Sequence, residues 1–484
     1  MNFKYNNKNN FFNNLEDLAK QTEKVLKNKD FSIFFSKLSN IFEIPKSEIV
    51  FFFSKKIFFS FNIKEKKFYK HKKFFSVFLG IFYFFGYILY IYLKKNKKKV
   101  TQNNFTIIID NVNFVEDFER FNRLENLFGR ELVYNLANSF NYKINNKKII
   151  YHERFDNYLL NLKYVLKYLS FFFNILFLSI KYKFNFFFIY VNFIDNYFYY
   201  KTFFKKNKCK YMLTYIHYDT NNIKNFFLNQ IGGRYIAIQR TLNHFTQIGF
   251  YHHCDICLTF SKKFSLSTAK HSIIKNRFPM GSFFLEFSFY SKKFEKIPLP
   301  NFDILYIGQK DLFPGGVHDI YQNHNDDYLE QLNWLKLLAI KFTNLKIAYK
   351  NHPNNKNSNF EKNFFENTGI NFIDKNLNSY FYCMKSKIIL SWGSTMIIEM
   401  KSLNKNCFYL NPGNRNLQFL DEVGKTNKEI NIVNYKTLEN LTQKYIYKKK
   451  ININFSKKNN EYYCLNSKNY TNNLYNFLMY NKKN

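Results

Sequence analysis

The chain has 484 residues, 46% of them hydrophobic and 22% charged, a balance that excludes a disordered polymer and has room for two or three domains. Its net charge is +38, yet only eight of the 73 basic residues are Arg, and diffuse Lys argues against a protein that grips nucleic acid through forked hydrogen bonds. Phe (63), Tyr (38), Lys and Asn are abundant while Gly (14), Pro (7) and Trp (2) are scarce, a bias that AT-rich codons produce without functional demand, so a surviving Gly or Pro marks a backbone shape that is needed.

The opening MNFKYNNKNNFFNN has no apolar run of the secretory kind, and six Cys are spread along the chain, so a reducing, cytoplasmic compartment is expected. Residues 1–70 read as short helices forming an N-terminal extension. Residues 71–100 follow as a hydrophobic, membrane-associating helix. Phe74 to Leu93 is 20 residues without a charge, flanked by KHKK and KKNKKK. As a helix it is about 30 Å long, the thickness of a bilayer core. Three placements are open: spanning, lying on an anionic membrane surface, and burial in a core. A second apolar stretch, YLSFFFNILFLSI (168–180), is too short to span and reads as a core or surface helix.

From residue 101 the pattern alternates between strands and helices, which predicts parallel sheets covered by helices. FTIIID, KFNFFFIYVNF (183–193), CKYMLTYIHYDT, RYIAIQRT, CDICLTF and SIIKNRFP read as strands, and NNIKNFFLNQIGG as a helix closing on glycine. In HHCDIC (252–257) the spacing of His and Cys admits a metal site, but no second C-x-x-C completes it, and a buried strand is the simpler reading. Residues 101–285 thus form a first α/β domain and 286–300, LEFSFYSKKFEKIPLP from 285, a linker. Residues 301–435 repeat the alternation. NFDILYIGQ, LKIAYKNHP, INFID, KIILSW and CFYLNPG are strands; DDYLEQLNWLKLLAIKF, NSYFYCMKS and STMIIEMKSLNK are helices. Residues 436–484 form a helical tail. Eleven of the 14 Gly and six of the seven Pro lie between Gly232 and Gly424, which places the tight turns there.

The stretch ILSWGST (389–395) stands at a strand-to-helix junction, where open α/β sheets bind ligands. A helix beginning near Ser394 aims backbone N–H groups at the crevice, Gly393 removes a Cβ from it, and Ser391, Ser394 and Thr395 supply hydroxyls. An anion, most simply a nucleotide phosphate, suits this turn; a plain helix cap with a turn glycine is the alternative. Glu399 either looks back along the crevice to accept ribose hydroxyls or is a solvated helix residue. His352, in YKNHPNN, ends another strand, where it can bond a phosphate oxygen or protonate a leaving group, and Pro353 fixes the turn after it. Asp219, at the end of IHYD, is the first candidate for general base and His244 the second. Arg415, just after NPG, sits on the same side as the Gly-Ser-Thr turn. No Asp-x-Asp metal motif ends a strand, so no metal site is expected.

The order of DILYIGQ, LKIAYKNHP, FID and SYFYCMKSKIILSWGSTMIIEMKSLNKNCFYLNPG resembles the C-terminal half of GT-B-fold glycosyltransferases. It is most similar to the bacterial surface- and capsule-polysaccharide groups, Kdo- and sialyltransferase-like, and to CDP-glycerol glycerophosphotransferases. YDTNNIKNFFLNQIGGRYIAIQR and CDICLTFSKKFSLSTAKHSIIKNRFPMGS resemble parts of the first half, although Arg240 and Thr241 follow Gln239 where the family has His and Gly. The resemblance covers about residues 200–420. It implies two Rossmann-like domains facing a cleft, a CMP- or UDP-sugar bound as substrate rather than cofactor, a glycan or glycolipid acceptor and no nucleic acid. A basic, Phe/Tyr-rich first domain with a greasy helix suits a lipid-linked acceptor and a peripheral or monotopic place at the inner membrane, a single span remaining possible. His352, Pro353, Ser394 and Thr395 would meet the donor phosphate, and Glu399 the ribose or the sugar. A UDP-sugar 2-epimerase or a glycerophosphotransferase on the same fold, and a non-catalytic basic membrane-binding protein, remain alternatives.

Overall fold

A computed structural model describes residues 11–60, 73–93, 102–112, 115–136, 148–150, 162–215, 220–240, 251–262, 271–290, 300–308, 324–352, 358–373, 378–414, 430–446, 463–465 and 467–480. The chain divides into two compact units. One holds Met1–Ile238, Phe245–Cys257 and Thr268–Arg277; the other holds Gln239–His244, Leu258–Ser267 and Phe278–Asn484.

In the first unit the order is α1 (Phe11–Leu26), α2 (Lys29–Phe42), α3 (Lys46–Ser60), α4 (Lys73–Leu93), β1 (Asn103–Val112), α5 (Val115–Phe128), β2 (Leu132–Leu136) and β3 (Ile149–Ile150). There follow α6 (Leu162–Leu169), α7 (Phe172–Tyr182), α8 (Phe186–Lys206), β4 (Asn207–Thr214), α9 (Asn222–Gln230), β5 (Arg234–Ile238), β6 (His253–Thr259) and β7 (Ile273–Pro279). The sheet runs β3-β2-β1-β4-β5-β6-β7, and the pairs from β3 to β5 are parallel. Helices α1 to α3 belong to this unit: Asn222 bonds the Glu48 carbonyl at 2.7 Å, and Lys55 bonds the Thr220 carbonyl at 2.5 Å.

Two sequence readings change here. KFNFFFIYVNF is not a strand but the start of α8. Aromatic and β-branched residues favour strands, but this apolar run continues to Phe204, far beyond a strand's length, and is buried nearly all round. Asn185 starts the helix by accepting from the Phe187 amide at 3.1 Å. The stretch 168–180 is not one helix either, because Ser170 and Phe171 form a turn between α6 and α7.

The second unit contains α10 (Phe283–Tyr290), β8 (Phe302–Ile307), α11 (His324–Lys341), β9 (Ile347–Lys350), α12 (Ser358–Phe364), β10 (Asn371–Ile373) and α13 (Ser379–Lys385). It continues with β11 (Ser386–Ser391), α14 (Met396–Lys401), β12 (Asn406–Leu410), β13 (Asn431–Ile432), α15 (Tyr435–Ile446) and α16 (Tyr470–Tyr480). Its sheet runs β10-β9-β8-β11-β12-β13, and every pair is parallel. One sheet face packs Tyr306, Tyr349, Leu390 and Leu410 with Leu332 and Trp334 of α11. Tyrosine fills this core because its hydroxyls find partners: Tyr328 bonds Tyr349 at 2.7 Å and Glu361 at 2.8 Å, and Tyr306 bonds Gln331 at 2.5 Å. The expected linker is in part α10, since Glu286 is buried and accepts from the amide and hydroxyl of Thr471 in α16.

Turns are made with asparagine as well as glycine. Asn111, Asn367, Asn404 and Asn414 all take positive φ, between 43° and 61°. Asn tolerates this left-handed region better than other side chains, so a chain poor in Gly has a substitute. Asn28, Asn185, Asn221 and Asn378 likewise cap helices.

Candidate functional site

In the second unit the chain builds β8, β9 and β10 outward in one direction, then returns to place β11 on the other side of β8. The order therefore reverses between β8 and β11, and ligands of open α/β sheets bind outside the carboxyl ends at such a reversal. Those ends carry Gly308 and the Gly-Ser-Thr turn. Ile307 pairs with Ser391 on one side and with Lys350 on the other, so Ser391 and Lys350 stand two strand spacings apart, roughly 10 Å. Gly393 and His352 each lie two residues beyond these positions, on one rim.

The turn is braced from below. Ser391 is buried, donates to the Ile307 carbonyl at 3.0 Å and accepts from the Ser394 amide at 3.3 Å. Its hydroxyl thus holds the turn in place instead of facing a ligand. Ser394 accepts from the Met396 amide at 3.3 Å, and its carbonyl accepts from Tyr409 at 3.1 Å. Gly393, Ser394, Thr395 and His352 are half-buried and form the accessible part of the rim. Gly308 is required by close approach, because a Cβ there would stand 3.0 Å from the Lys350 carbonyl and closer still to the Tyr349 hydroxyl. The helix that follows the turn is six residues long, shorter than the sequence pattern suggested, so its dipole is small.

Positive charge comes instead from a residue the sequence reading passed over. Lys350, the last residue of β9, is buried with its ammonium donating to the Asn351 carbonyl at 2.8 Å. It lies on the same sheet face as Ser391, beneath the rim. The signal was present in IAYK, a strand whose only charged residue is its last.

Glu399 is neither on the rim nor solvated. It is 1% exposed, and its two carboxylate oxygens accept from the Ser282 hydroxyl and, at 2.8 Å, from Tyr380. Burial pushes its carboxyl up to about 7, against the two hydroxyl donors that pull it down. Its role is to tie α14 to the segment that follows Gly281.

The first unit has its own reversal, between β1 and β4. Asp110, near the end of β1, pairs with Lys224 at 2.5 Å and accepts from Tyr235 at 3.0 Å and Asn135 at 2.9 Å. Burial pulls the Lys224 ammonium down, but Asp110, helped by Tyr200 and Tyr235, holds it well above the usual lysine value. Nearby, buried Asp117 accepts from Tyr215 and from Arg120, the latter at 2.6 Å. Sequence reading missed this cluster, since a strand-end Asp and a helical Lys look solvated one at a time.

Asp219, His244, Pro353 and Arg415 lie outside the described residues. Arg240 stacks its guanidinium over Phe284 at 5.3 Å. In HHCDIC, both ring nitrogens of His253 are engaged, by Asn225 and Glu48 at 3.1 Å each, and Cys254 and Cys257 are buried in β6. Among the described residues no three His, Cys, Asp or Glu side chains converge as metal ligands.

No family model and no curated protein matches the chain. Solved structures similar to it include S. aureus MnaA in a co-structure with UDP, at 11% identity and TM-score 0.45 over 78% of this chain and 96% of that one. The UDP-GlcNAc 2-epimerase of Neisseria meningitidis, bound to UDP-GlcNAc, is similar at 12% identity and TM-score 0.40 over 78% and 100%. The wall teichoic acid polymerase TagF is similar at 9% identity and TM-score 0.41 over 83% and 97%.

Proposed function

We propose that the chain is a metal-independent glycosyltransferase that binds a CMP- or UDP-sugar at the rim of the second unit and passes the sugar to a glycan or lipid-linked acceptor at the cytoplasmic face of a membrane. The observation that carries this reading is the coincidence of the strand-order reversal with the Gly-Ser-Thr turn and His352, above a buried Lys350.

In this reading the leaving nucleotide phosphate develops negative charge as the glycosidic bond to it breaks. Ser394 and Thr395 donate hydroxyl hydrogen bonds to it, His352 bonds or protonates a phosphate oxygen, and Lys350 makes the local potential more positive, which lowers the energy of the leaving anion. Groups fixed before the reaction need no reorientation at the transition state. Asp219 or His244 takes the acceptor hydroxyl's proton, and Pro353 and Arg415 complete the donor side.

The test is a thermal-shift screen of nucleotides and nucleotide sugars on the wild type, His352→Ala and Ser394→Ala. Stabilisation by one nucleotide class, lost in both variants, is expected; indifference of the wild type to every nucleotide overturns the proposal. Product analysis then separates transfer from its alternatives: consumption of CDP-glycerol marks a glycerophosphotransferase, and a 2-epimer of the donor sugar marks an epimerase.

A further inference from the structure

Helix α4 has no charged residue from Phe74 to Leu93, but it has two distinct faces. Gly80, Phe84 and Tyr87, at i, i+4 and i+7, face inward. A Cβ at Gly80 would overlap the Asn185 side chain, Phe84 stacks on Tyr168 at 4.3 Å, and Tyr87 donates to Asp195 at 3.1 Å. The opposite stripe, Phe78, Phe82, Phe85 and Leu89, is exposed, Phe82 by 62%.

Helix α7 repeats the arrangement. Ile175, Leu178 and Ser179 are buried, while Phe173, Phe177 and Ile180 face out, Phe173 by 78%. The two stripes are continuous, because Phe172 touches Phe85 at 5.3 Å on one side and Phe173 at 5.3 Å on the other. Exposed Leu166 of α6 extends the patch. An apolar surface spread over adjacent helices is uncommon on a free soluble protein and marks an interaction face.

Charge decides the partner. No Asp or Glu occurs from Lys66 to Ile109 or from Asn157 to Ile194, the two stretches that carry the patch. The first holds ten Lys, all flanking the apolar run, and the second holds four. A greasy helical centre whose own sequence stretches are acid-free and lysine-rich fits an anionic lipid surface; Asp30 of α2, an acid beside them, pairs with Lys181 at 2.5 Å. Exposed Tyr83, beside the stripe, has the amphipathic ring that suits the headgroup level.

We propose that the α4–α7 face seats the chain on an anionic bilayer with α4 lying in the membrane plane, not crossing it. The inward face of α4 supports this orientation: crossing would strip Phe84 from Tyr168 and Tyr87 from Asp195, both within the first unit. Val165–Tyr182 is apolar and long enough to cross by composition, but the turn between α6 and α7 leaves pieces of 8 and 11 residues, each too short. The proposal is independent of the nucleotide chemistry assigned to the second unit.

Flotation of the full chain with phosphatidylcholine vesicles, with and without phosphatidylserine, tests it. The wild type is expected to float with the anionic vesicles and more weakly with the neutral ones. The triple variant Phe82→Ser, Phe173→Ser, Phe177→Ser is expected to lose at least about tenfold in partitioning. Because these side chains are exposed, it keeps the wild-type circular dichroism and melting temperature. A folded triple variant that floats like the wild type overturns the proposal, as does a wild type that ignores both vesicle types. So does a lipid-free dimer that the triple variant dissociates while neither protein floats, which assigns the face to a second copy. Protease added outside sealed vesicles is expected to cleave on both sides of α4; a protected N-terminal fragment means a crossing helix and also overturns it.

Discussion

Ser391 donates its hydroxyl to the carbonyl of Ile307 at 3.0 Å, joining the ends of β11 and β8 across the point where the strand order reverses. The same oxygen accepts from the Ser394 amide at 3.3 Å, so one buried side chain fixes both the strand pair and the turn above it. The turn is thereby held at the reversal before any ligand arrives.

Ser391→Ala removes both bonds and leaves a buried carbonyl without that donor. A loss of about 1–3 kcal/mol in the stability of the second unit is expected. Both tryptophans, Trp334 and Trp392, lie in that unit, so urea unfolding followed by tryptophan fluorescence reads it selectively. An unchanged midpoint contradicts the bracing role.

Glu399 makes the second unit sensitive to pH. Its folded value of about 7 lies above the 4.5 of an ordinary glutamate, so the folded state holds a proton that the unfolded state has released between those values. Stability therefore falls as pH rises through that window and levels off above it, by on the order of 3 kcal/mol in total. Glu399→Gln should flatten the profile between about pH 4.5 and about pH 7. The same fluorescence titration checks it, and parallel slopes in variant and wild type refute it.

Lys350→Met keeps the volume of a buried side chain and removes its charge. If the ammonium draws phosphate to the rim, nucleotide affinity falls about tenfold, worth about 1.4 kcal/mol. The salt dependence of binding should weaken with it. Calorimetric titration at low and high salt measures both quantities, and unaltered affinity in a folded variant rules the charge out of binding.

Lys224→Met leaves Asp110 charged and buried without its ion-pair partner. The expected cost is about 3–5 kcal/mol, whereas the double change Lys224→Met with Asp110→Leu should cost much less. Urea unfolding followed by far-ultraviolet circular dichroism compares the two. Additive costs would contradict a coupled pair.

Much of the second unit was legible from sequence because its strands are short, apolar and punctuated. IIL in β11, NFDILYI in β8 and LKIAYK in β9 each end at a Gly or polar residue, and the Gly-Ser-Thr turn and His352 fall at strand ends as read. The first unit was harder. The start of α8 reads as a strand because a helix buried on nearly all sides has no polar face to betray its period. Glu286 reads as part of a linker, and Glu399 as either a crevice or a solvated residue, because nothing local shows that Thr471 or Ser282 will cover them.

The sequence by itself determined the alternation of strands and helices, the two sheet-forming halves and the rim motifs, because these follow from periodicity and turn chemistry within a few residues. Only the tertiary structure decided which charges are buried, that Ser391 braces while Ser394 is accessible, and that α4 buries one stripe and bares the other. Those outcomes depend on partners dozens to more than a hundred residues away, such as Ser282 for Glu399 and Asp195 for Tyr87. Burial is a property of what packs against a side chain, and no local pattern encodes it.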